Sequence, residues 1–316
     1  MHLPNNKNFA FTIIDDTEWA TVENIKPVYD LLYDLGFLTT KTVWVYPTRD
    51  HFSGQSLQDE DYLEFIKDLK NKGFDIQMHN VGSGDFFRDE IISGIEIFKQ
   101  KMGYYPSMQI NHATNKDSLY WGYKRFGGLL KWCLKSFFSS GNIFFGDDPQ
   151  SEHFWGDVAK KHIKYLRNRT FKGINTLKYD PKMPYVEPKK KYSNYWFSSS
   201  DGGDAEVFTK LISKQNVDKL VRNKGLCIVY THLAANFVDN NGQVNPLFKE
   251  RMEYLSRQNG WFVPASEILD YLSSQTKNRN AGWFYFLMMD IRWLIPQCIK
   301  KLKKIIFKRI SPSFSK

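Results

Sequence analysis

Apolar and polar positions alternate along the chain in a pattern that predicts strands separated by amphipathic helices. Apolar, strand-forming runs predict strands at 8–14, 40–46, 75–79, 107–112, 226–232 and 261–263. Helical spacing of apolar positions predicts helices over 24–35, 58–72, 88–102, 246–259 and 265–274. Repeated strand–helix units pack as a parallel sheet, doubly wound or closed into a barrel, with the functional site at the carboxyl ends of the strands.

Two stretches depart from this pattern. Residues 121–200 contain "GDDPQSEHFWGDVAKKHIKYL" and the proline-spaced "YDPKMPYVEPKKKYSNYW", and they predict an irregular insertion within the same domain. The polar segment "SSQTKNRNAG" predicts the end of the body. The sequence therefore predicts one domain over 1–275, with an insertion at 121–200, and a separate tail over 276–316.

Composition narrows the class of protein. The 316 residues include 25 Phe, 17 Tyr and 9 Trp, which is enough to build a sizeable core. The three cysteines are far apart and odd in number, so they indicate neither a disulfide framework nor a cysteine-based zinc site. The segment "MHLPNNKNFAFTIIDD" lacks the basic and apolar regions of a secretory signal. These features predict a cytoplasmic protein.

The positive charge is concentrated in the tail. From Lys277 onward there are ten Lys or Arg and one acid, a net charge of +9, whereas the first 276 residues carry 34 basic and 33 acidic residues, a net charge of +1. A nucleic-acid enzyme usually carries a basic stripe across its working face. The charge distribution therefore argues against a nucleic-acid partner.

Polar residues end four of the predicted strands, where a site would form. They are Asp15 and Asp16, His79, Asn111 and His112, and His232. Adjacent carboxylates repel each other, and a divalent cation would compensate them. Histidine and carboxylate are ligands of zinc, nickel and cobalt. A carboxylate beside such an ion can act as general base and a histidine as general acid, which suits hydrolysis of an amide or ester.

Several segments resemble, in order, the motifs of the polysaccharide deacetylases of the NodB-homology family, in the branch associated with surface-glycan biosynthesis. They are "FTIIDD", "TTKTVWVYP", "GFDIQMHN", "VYTH" and "RQNGWFVPASEILDYL", and the resemblance covers most of residues 8–274. It implies an α/β fold, a distorted (β/α) barrel. It also implies that Asp15 is the catalytic base, that Asp16 and His79 bind the metal, and that His232 is the general acid.

The chain departs from the family's motifs at two positions. Ser83 stands where the family has a second metal-binding histidine, and "QINHATN" lacks the arginine that steadies the base. We expect His112 to replace the missing ligand, because adjacent strands lie about 5 Å apart. The alternatives are that Asp85 supplies the ligand or that His112 only orients Asp15.

Three further residues are candidates for the site. Asp201, in "WFSSSDGGDAEVF", is expected to lie beside His232 and hold its tautomer, unless this loop only caps the next helix. Asn111 and Trp121 are expected to bind substrate. Trp155 and Trp196 are further aromatic residues able to stack on a sugar, although tryptophans at such positions more often pack in the core.

The tail sequence "AGWFYFLMMDIRWLIPQCIKKLKKIIFKRI" predicts an amphipathic helix. A membrane-spanning helix is disfavoured, because Asp290 and Arg292 would cost roughly 5 to 7 kcal/mol, more than the apolar residues return. Apolar residues from Phe284 to Ile306 form one stripe and lysines lie on the other side, as in helices at anionic membrane interfaces. The alternative is a helix that packs on the domain or on a second subunit.

Together these features predict a metal-dependent deacetylase acting on an acetylated sugar or glycan during surface polysaccharide assembly. Zinc is the expected metal, with nickel or cobalt as alternatives, and the expected location is peripheral, on the cytoplasmic face of the membrane. The alternative function is a metal-free, non-catalytic glycan-binding or assembly protein with the same fold. Hydrolysis of a different amide or of a glycosidic bond is a third possibility, since one fold hosts several chemistries.

Overall fold

The computed structural model describes residues 2–127, 130–132, 144–275 and 280–310, with side chains to residue 299. The strands are β1 (Phe9–Asp15), β2 (Thr40–Val43), β3 (Asp75–Met78), β4 (Met108–Gln109), β5 (Tyr165–Phe171), β6 (Tyr195–Asp201), β7 (Leu226–Thr231) and β8 (Gly260–Trp261). The helices are α1 (Val22–Asp34), α2 (Glu60–Asn71), α3 (Arg88–Met102), α4 (Gly156–His162), α5 (Thr176–Tyr179), α6 (Ala205–Leu211), α7 (Lys214–Arg222), α8 (Pro246–Ser256), α9 (Ala265–Gln275) and α10 (Trp283–Ile310).

Strands β1 to β7 form a closed parallel barrel. Each pairs with the next in chain order, and β1 closes the barrel by pairing with both β7 and β2. Strand β8 pairs with the start of β1. Every residue of β1 is buried, as expected for a strand covered on both faces. The predicted distorted (β/α) barrel is confirmed.

Helices cover the barrel through apolar faces at helical spacing. In α1 the buried residues are Ile25, Val28, Tyr29 and Leu32, and Thr21 caps the helix by accepting a hydrogen bond from the Asn24 backbone. The buried apolar residues of strands and helices form two large clusters. The rigid barrel therefore fixes the positions of the loops at its carboxyl edge.

Strand β5 lies within residues 121–200 and β6 begins there and ends at Asp201, where the apolar pattern predicted no strand. Strand β5 reads "YLRNRTF", and its polar residues Arg167, Asn168 and Arg169 are buried. The pairing register between β5 and β6 also shifts between Arg167 and Thr170. A buried strand rich in paired polar residues has no apolar run, so periodicity does not detect it.

The C-terminal amphipathic helix is confirmed, and its first half packs on the barrel. Met289 is fully buried, and Asp290 forms a buried ion pair with Arg169 of β5. Tyr285 donates a hydrogen bond to Asp180, and Arg292 Nη1 donates to the Tyr179 carbonyl oxygen over 2.8 Å. In the described part of the chain, no helix combines the length and apolar character needed to cross a bilayer. The tail boundary at 276 stays a prediction.

Candidate metal centre

The carboxyl edge of the barrel gathers ionisable residues from several strands. Asp15 is the last residue of β1, and Asp16 and Glu18 lie in the loop that follows it. His79 follows β3, His112 lies just beyond β4, and His232 follows β7. Because parallel strands of a closed barrel end at the same edge, residues up to 217 positions apart in the sequence meet there.

Glu18, His79 and His112 form a buried cluster that has the composition of a metal site. Glu18 Oε1 lies 3.1 Å from His79 Nε2 and 3.4 Å from His112 Nε2. One ligand atom from each residue lies within 4.8 Å of the others. One carboxylate and two imidazoles are a ligand set found in catalytic zinc sites.

The hydrogen bonds of His112 show that its Nε2 presents a lone pair to Glu18. Asn115 donates from Nδ2 to the Gly82 carbonyl oxygen, and its Oδ1 accepts from the Gly84 backbone N–H, so the orientation of the Asn115 amide is fixed. Asn115 Oδ1 therefore accepts from His112 Nδ1, 3.0 Å away. Neutral His112 then has its lone pair on Nε2, which faces a carboxylate oxygen.

Unpartnered acceptor atoms in this cluster fit a bound cation. His112 Nε2 and Glu18 Oε2 are buried without a hydrogen-bond partner. Burial, together with the charge of His79, lowers the pKa of His112 to about 4, which keeps its imidazole neutral. Burial alone would raise the pKa of Glu18, but His79 and His232 hold it well below its usual range. A neutral imidazole beside an ionised carboxylate is a suitable ligand pair for a divalent cation.

Asp16 forms a bidentate ion pair with Arg167. Arg167 Nη1 lies 2.9 Å from Asp16 Oδ1 and Nη2 lies 2.5 Å from Oδ2, and both side chains are buried. The guanidinium also lies 4.8 Å from the centre of the Tyr230 ring. Asp16 belongs to a second group with Glu18 and His232, whose ligand atoms lie within 4.8 Å of one another. Asp16 is therefore held at the side of the cluster that His232 occupies.

His232 is oriented by the backbone of a neighbouring loop. Its Nδ1–H donates to the Gly203 carbonyl oxygen over 2.7 Å, which leaves Nε2 3.5 Å from Glu18 Oε2. Burial would lower the pKa of His232, but its interaction with the nearby Glu18 carboxylate and the charge of Asp16 raise it to about 9. Asp201 accepts a hydrogen bond of 3.4 Å from the Gly203 N–H, so it contacts the loop that orients His232.

The side chain of Asp15, the last residue of β1, has three partners outside the cluster. Lys41 Nζ lies 2.8 Å from Asp15 Oδ2, and both side chains are fully buried. The Tyr29 hydroxyl donates to Oδ2 over 2.9 Å, and the Leu233 N–H donates to Oδ1 over 2.8 Å. Asp15 therefore ties β1 to β2, to α1 and to the residue that follows His232.

Ser83 contributes to the hydrogen bonds behind His112. Its Oγ donates to Asp50 Oδ1 over 2.6 Å, and Thr114 Oγ1 donates to Asp50 Oδ2 over 3.0 Å. Thr114 Oγ1 also lies 3.0 Å from His112 Nδ1. Ser83, at the position of a missing family ligand, thus takes part in a network that positions another imidazole.

The other predicted residues make their contacts outside the cluster. Asn111 exchanges two hydrogen bonds with the backbone of Leu119, which closes the loop after β4. Trp121 lies under the guanidinium of Arg125, 4.1 Å from it to the ring centre. Asp85 forms an ion pair of 2.7 Å with Lys116 on the surface. These contacts are structural; the substrate-binding roles of Asn111 and Trp121 stay predictions.

Two residues of the site, Glu18 and Arg167, were not predicted from the sequence. Glu18 lies only two residues after the paired acids, but nothing in "DDTEW" shows that the loop turns its side chain inward. Arg167 lies in a strand that the apolar pattern did not reveal. The alternation of arginines in "YLRNRTF" was the available signal, since arginines two apart in a strand share one face.

The sequence matches no family profile and no curated protein. Among solved structures, a protein classed as a polysaccharide deacetylase from Mycobacterium smegmatis superimposes with a TM-score of 0.51 at 11% identity, covering 89% of this chain and 96% of that one. The peptidoglycan deacetylase PdaC from Bacillus subtilis gives 0.42 at 13% identity, over 86% and 94% of the two chains. A GH57-type branching enzyme from Pyrococcus horikoshii gives 0.48 at 10% identity, over 87% and 72%.

The similarity to the Mycobacterium smegmatis protein supports the fold class. The closed parallel barrel and the match to the Mycobacterium smegmatis protein over nearly the whole of both chains show the fold of the NodB-type polysaccharide deacetylases. The activity of this chain must be argued from its own site, because one fold carries several chemistries.

Proposed function

We propose that the protein is a metal-dependent deacetylase that removes an acetyl group from an amino sugar or glycan during surface polysaccharide assembly. The observation that carries the proposal is the buried cluster of Glu18, His79 and His112, with acceptor atoms that lack hydrogen-bond partners. A divalent cation held there, zinc first among the candidates, would polarise the acyl carbonyl and make an attacking water more acidic.

The proposal assigns Asp16 as the general base. Its carboxylate belongs to the same group of atoms as Glu18 and His232, so a water between them would lie within its reach. Arg167 holds Asp16 in place through two charge-assisted hydrogen bonds. The resemblance implies an arginine that steadies the base, and in this proposal Arg167 of β5 has that role.

The proposal assigns His232 as the general acid. Its Nδ1–H is bound to the Gly203 carbonyl, so Nε2 is the nitrogen that faces the site. A protonated Nε2 would donate to the nitrogen or oxygen of the leaving sugar while Asp16 accepts a proton from water. Asp201 supports this orientation indirectly, through the Gly203 N–H.

The resemblance suggests a different assignment, in which Asp15 is the base and Asp16 a ligand. The contacts of Asp15 favour a positioning role instead. Asp15 is engaged by Lys41, Tyr29 and the Leu233 N–H, whereas Asp16 is the acid whose carboxylate lies in the group with Glu18 and His232. Single Asp-to-Asn substitutions distinguish the two assignments, as described below.

The function is tested by measuring acetate release from the zinc-loaded full chain. The substrates are N-acetylglucosamine oligomers and acetylated xylan, which carry the amide and the ester. We expect acetate release to stop when zinc is chelated and to return when zinc is added back. We also expect Glu18→Gln to abolish acetate release. Zinc binding without release from either substrate would contradict the deacetylase proposal, whereas failure to bind zinc would favour the non-catalytic glycan-binding alternative.

We further propose that α10 holds the protein peripherally at the cytoplasmic face of an anionic membrane. The face of α10 opposite Met289 and Asp290 carries an exposed apolar stripe, formed by Phe284, Leu287, Ile291, Ile295 and Ile299. The chain then continues with Lys300, Lys301, Lys303 and Lys304, whose side chains lie outside the described residues. Apolar residues beside concentrated positive charge complement an anionic lipid surface.

A further inference from the structure

Trp19 is an exposed tryptophan in an unusual backbone conformation beside the candidate metal centre. It follows Glu18 in the chain, and 42% of its surface is exposed. Its φ of 61° lies in the left-handed region, which a bulky residue rarely adopts. Such strain persists only where surrounding contacts impose it, and it is concentrated at functional sites.

The loop after β2 and the start of α1 hold Trp19 in this conformation. The Trp19 N–H donates to the Ser53 carbonyl oxygen over 2.6 Å, and Asn24 Nδ2 donates to the Trp19 carbonyl oxygen over 2.9 Å. The Gln55 N–H donates to the Ala20 carbonyl oxygen over 2.7 Å. The loop after β2 thus runs directly against the loop after β1 and fixes the indole.

Close approach of these loops depends on Gly54. A Cβ at this position would lie 3.1 Å from the Trp44 ring and 3.2 Å from the Ala20 nitrogen, and the φ of Gly54 is 143°. Both the space and the backbone conformation therefore require glycine. The sequence places a glycine where the two loops meet, which keeps Trp19 against its neighbours.

The rings of Trp19 and Phe52 form an aromatic rim between the two sides of the site. The Trp19 ring centre lies 5.4 Å from that of His232, edge to face, and 5.7 Å from that of Phe52. Phe52 in turn lies 4.7 Å from His112, also edge to face. The aromatic rim therefore extends from the proposed general acid to a proposed metal ligand.

The other tryptophans considered from the sequence are less suited to contact a ligand. Trp155 and Trp196 are fully buried, and the guanidinium of Arg125 lies over the ring of Trp121. Trp19 combines exposure with direct contact to the site, which distinguishes it from these three.

We propose that the aromatic rim, Trp19 with Phe52, binds the pyranose ring that carries the acyl group. This inference rests on the proposed function, because it assigns a sugar to the same site. The C–H face of a pyranose is apolar and stacks on an indole, whereas its hydroxyl edges remain available for polar groups. Because Trp19 contacts His232, a sugar on the rim would present its leaving nitrogen or oxygen to that imidazole.

The test compares sugar binding in variants of the zinc-loaded full chain by calorimetry, with N-acetylglucosamine tetramer and xylotetraose as probes. We expect Trp19→Ala to raise the Kd for at least one probe about tenfold and Trp19→Phe to raise it less. Trp19→Gly removes the ring but accepts a positive φ, so it should lose binding as fully as Trp19→Ala while retaining the thermal stability of the wild type. Trp283→Ala, which removes another exposed tryptophan on α10, is the control and should bind as the wild type does.

Zinc affinity, measured in parallel, separates this inference from the proposed function. We expect all four variants to bind zinc as the wild type does. Loss of sugar binding in Trp19→Ala and Trp19→Gly supports the rim even if the wild type releases no acetate. Wild-type sugar affinity in both variants, or no binding of either probe by the wild type, would overturn it.

Discussion

Arg167 and Asp16 form a buried bidentate ion pair, with Nη1–Oδ1 and Nη2–Oδ2 distances of 2.9 Å and 2.5 Å. The pair joins β5 to the loop after β1, across the carboxyl edge of the barrel. The segment after β4 lacks the arginine that the resemblance implies. Arg167 of β5 provides an arginine instead, and it binds Asp16, the second of the two adjacent acids. This relationship distinguishes the roles of Asp15 and Asp16.

Asp16→Asn is expected to abolish acetate release and to retain zinc, and also to lower stability, because buried Arg167 loses its carboxylate. An amide cannot accept the proton of the attacking water, but it can still accept one hydrogen bond from Arg167. Acetate release by the zinc-loaded variant, measured beside its zinc content, checks this. Full activity of Asp16→Asn would exclude it as the base.

Asp15→Asn is expected to act mainly on stability. It would leave Lys41 buried without its carboxylate, and breaking a buried ion pair by removing one partner costs about 3–5 kcal/mol. Urea unfolding measures the loss. If Asp15→Asn were as stable as the wild type but inactive, Asp15 would be the base, as the resemblance alone suggests.

The ion pair between Asp290 and Arg169 is expected to attach α10 firmly to the barrel. Asp290→Asn should lower the free energy of unfolding by about 3–5 kcal/mol, because Arg169 is fully buried and would lose its carboxylate. The double variant Arg169→Met with Asp290→Leu should recover much of this loss. The control is Asp30→Asn, which breaks an exposed ion pair with Lys26 and should change stability little.

Unchanged stability of Asp290→Asn would instead show that the tail and the body are independent of each other. If Asp290→Asn unfolded at the urea concentration of the wild type, α10 would be dispensable for the barrel, and the boundary at 276 would divide two independent parts. The contacts of Met289 and Asp290 instead predict that deletion of 277–316 destabilises the body.

The exposed stripe of α10 is expected to determine membrane binding. Replacing Leu287, Ile291 and Ile295 by glutamate should abolish sedimentation with phosphatidylglycerol vesicles, because it removes apolar area and adds negative charge. Replacing the exposed apolar residues Val207 and Leu247 by glutamate is the control and should leave binding unchanged. Equal sedimentation of the stripe variant, or of the wild type with neutral phosphatidylcholine vesicles, would contradict an electrostatic membrane interface.

Much of the barrel was predictable because most of its strands bury apolar residues. The patterns at β1, β3 and β7 identify these strands and place Asp15, His79 and His232 at their carboxyl ends. Strand β5 was not predictable, because its buried arginines are neutralised by partners distant in the sequence, Asp16 and Asp290. The spacing of apolar residues indicates which apolar side chains are buried, but it does not reveal buried ion pairs.

The roles of individual side chains were harder to predict than their positions. A ligand set depends on how loops turn, and the loop after β1 brings Glu18 within 3.4 Å of both His79 and His112. The prediction that His112 replaces the missing family ligand remains untested, but the geometry supports it. The hydrogen bond that His112 Nδ1 donates to Asn115 Oδ1 fixes the tautomer of His112, and it depends on the contact of Asn115 with the Gly84 backbone N–H in a separate loop.

Buried Asp117 is expected to make stability depend on pH. Burial is the main cause that raises its pKa to about 7, while Asn80 Nδ2 donates a hydrogen bond to it over 2.5 Å. Because this pKa lies above the unfolded value of about 4, the folded protein holds the proton more tightly. The contribution is fully present below about pH 4 and is lost as the pH rises through about 7.

Asp117→Asn should therefore remove this pH dependence. The stability of the variant relative to the wild type should increase from pH 5 to pH 8, as measured by urea unfolding across that range, with Asp30→Asn as the surface control. A constant difference between variant and wild type over this range would show that Asp117 does not titrate there.

Zinc affinity of matched carboxylate variants tests the proposed metal centre most directly. The full-length wild type should bind one zinc per chain, measured by competition with a chromogenic chelator, and Glu18→Gln and His112→Ala should each weaken binding by about a hundredfold or more. Asp16→Asn should bind zinc as tightly as the wild type does. Zinc affinity that survives Glu18→Gln but is lost in Asp16→Asn would contradict the centre proposed from Glu18, His79 and His112.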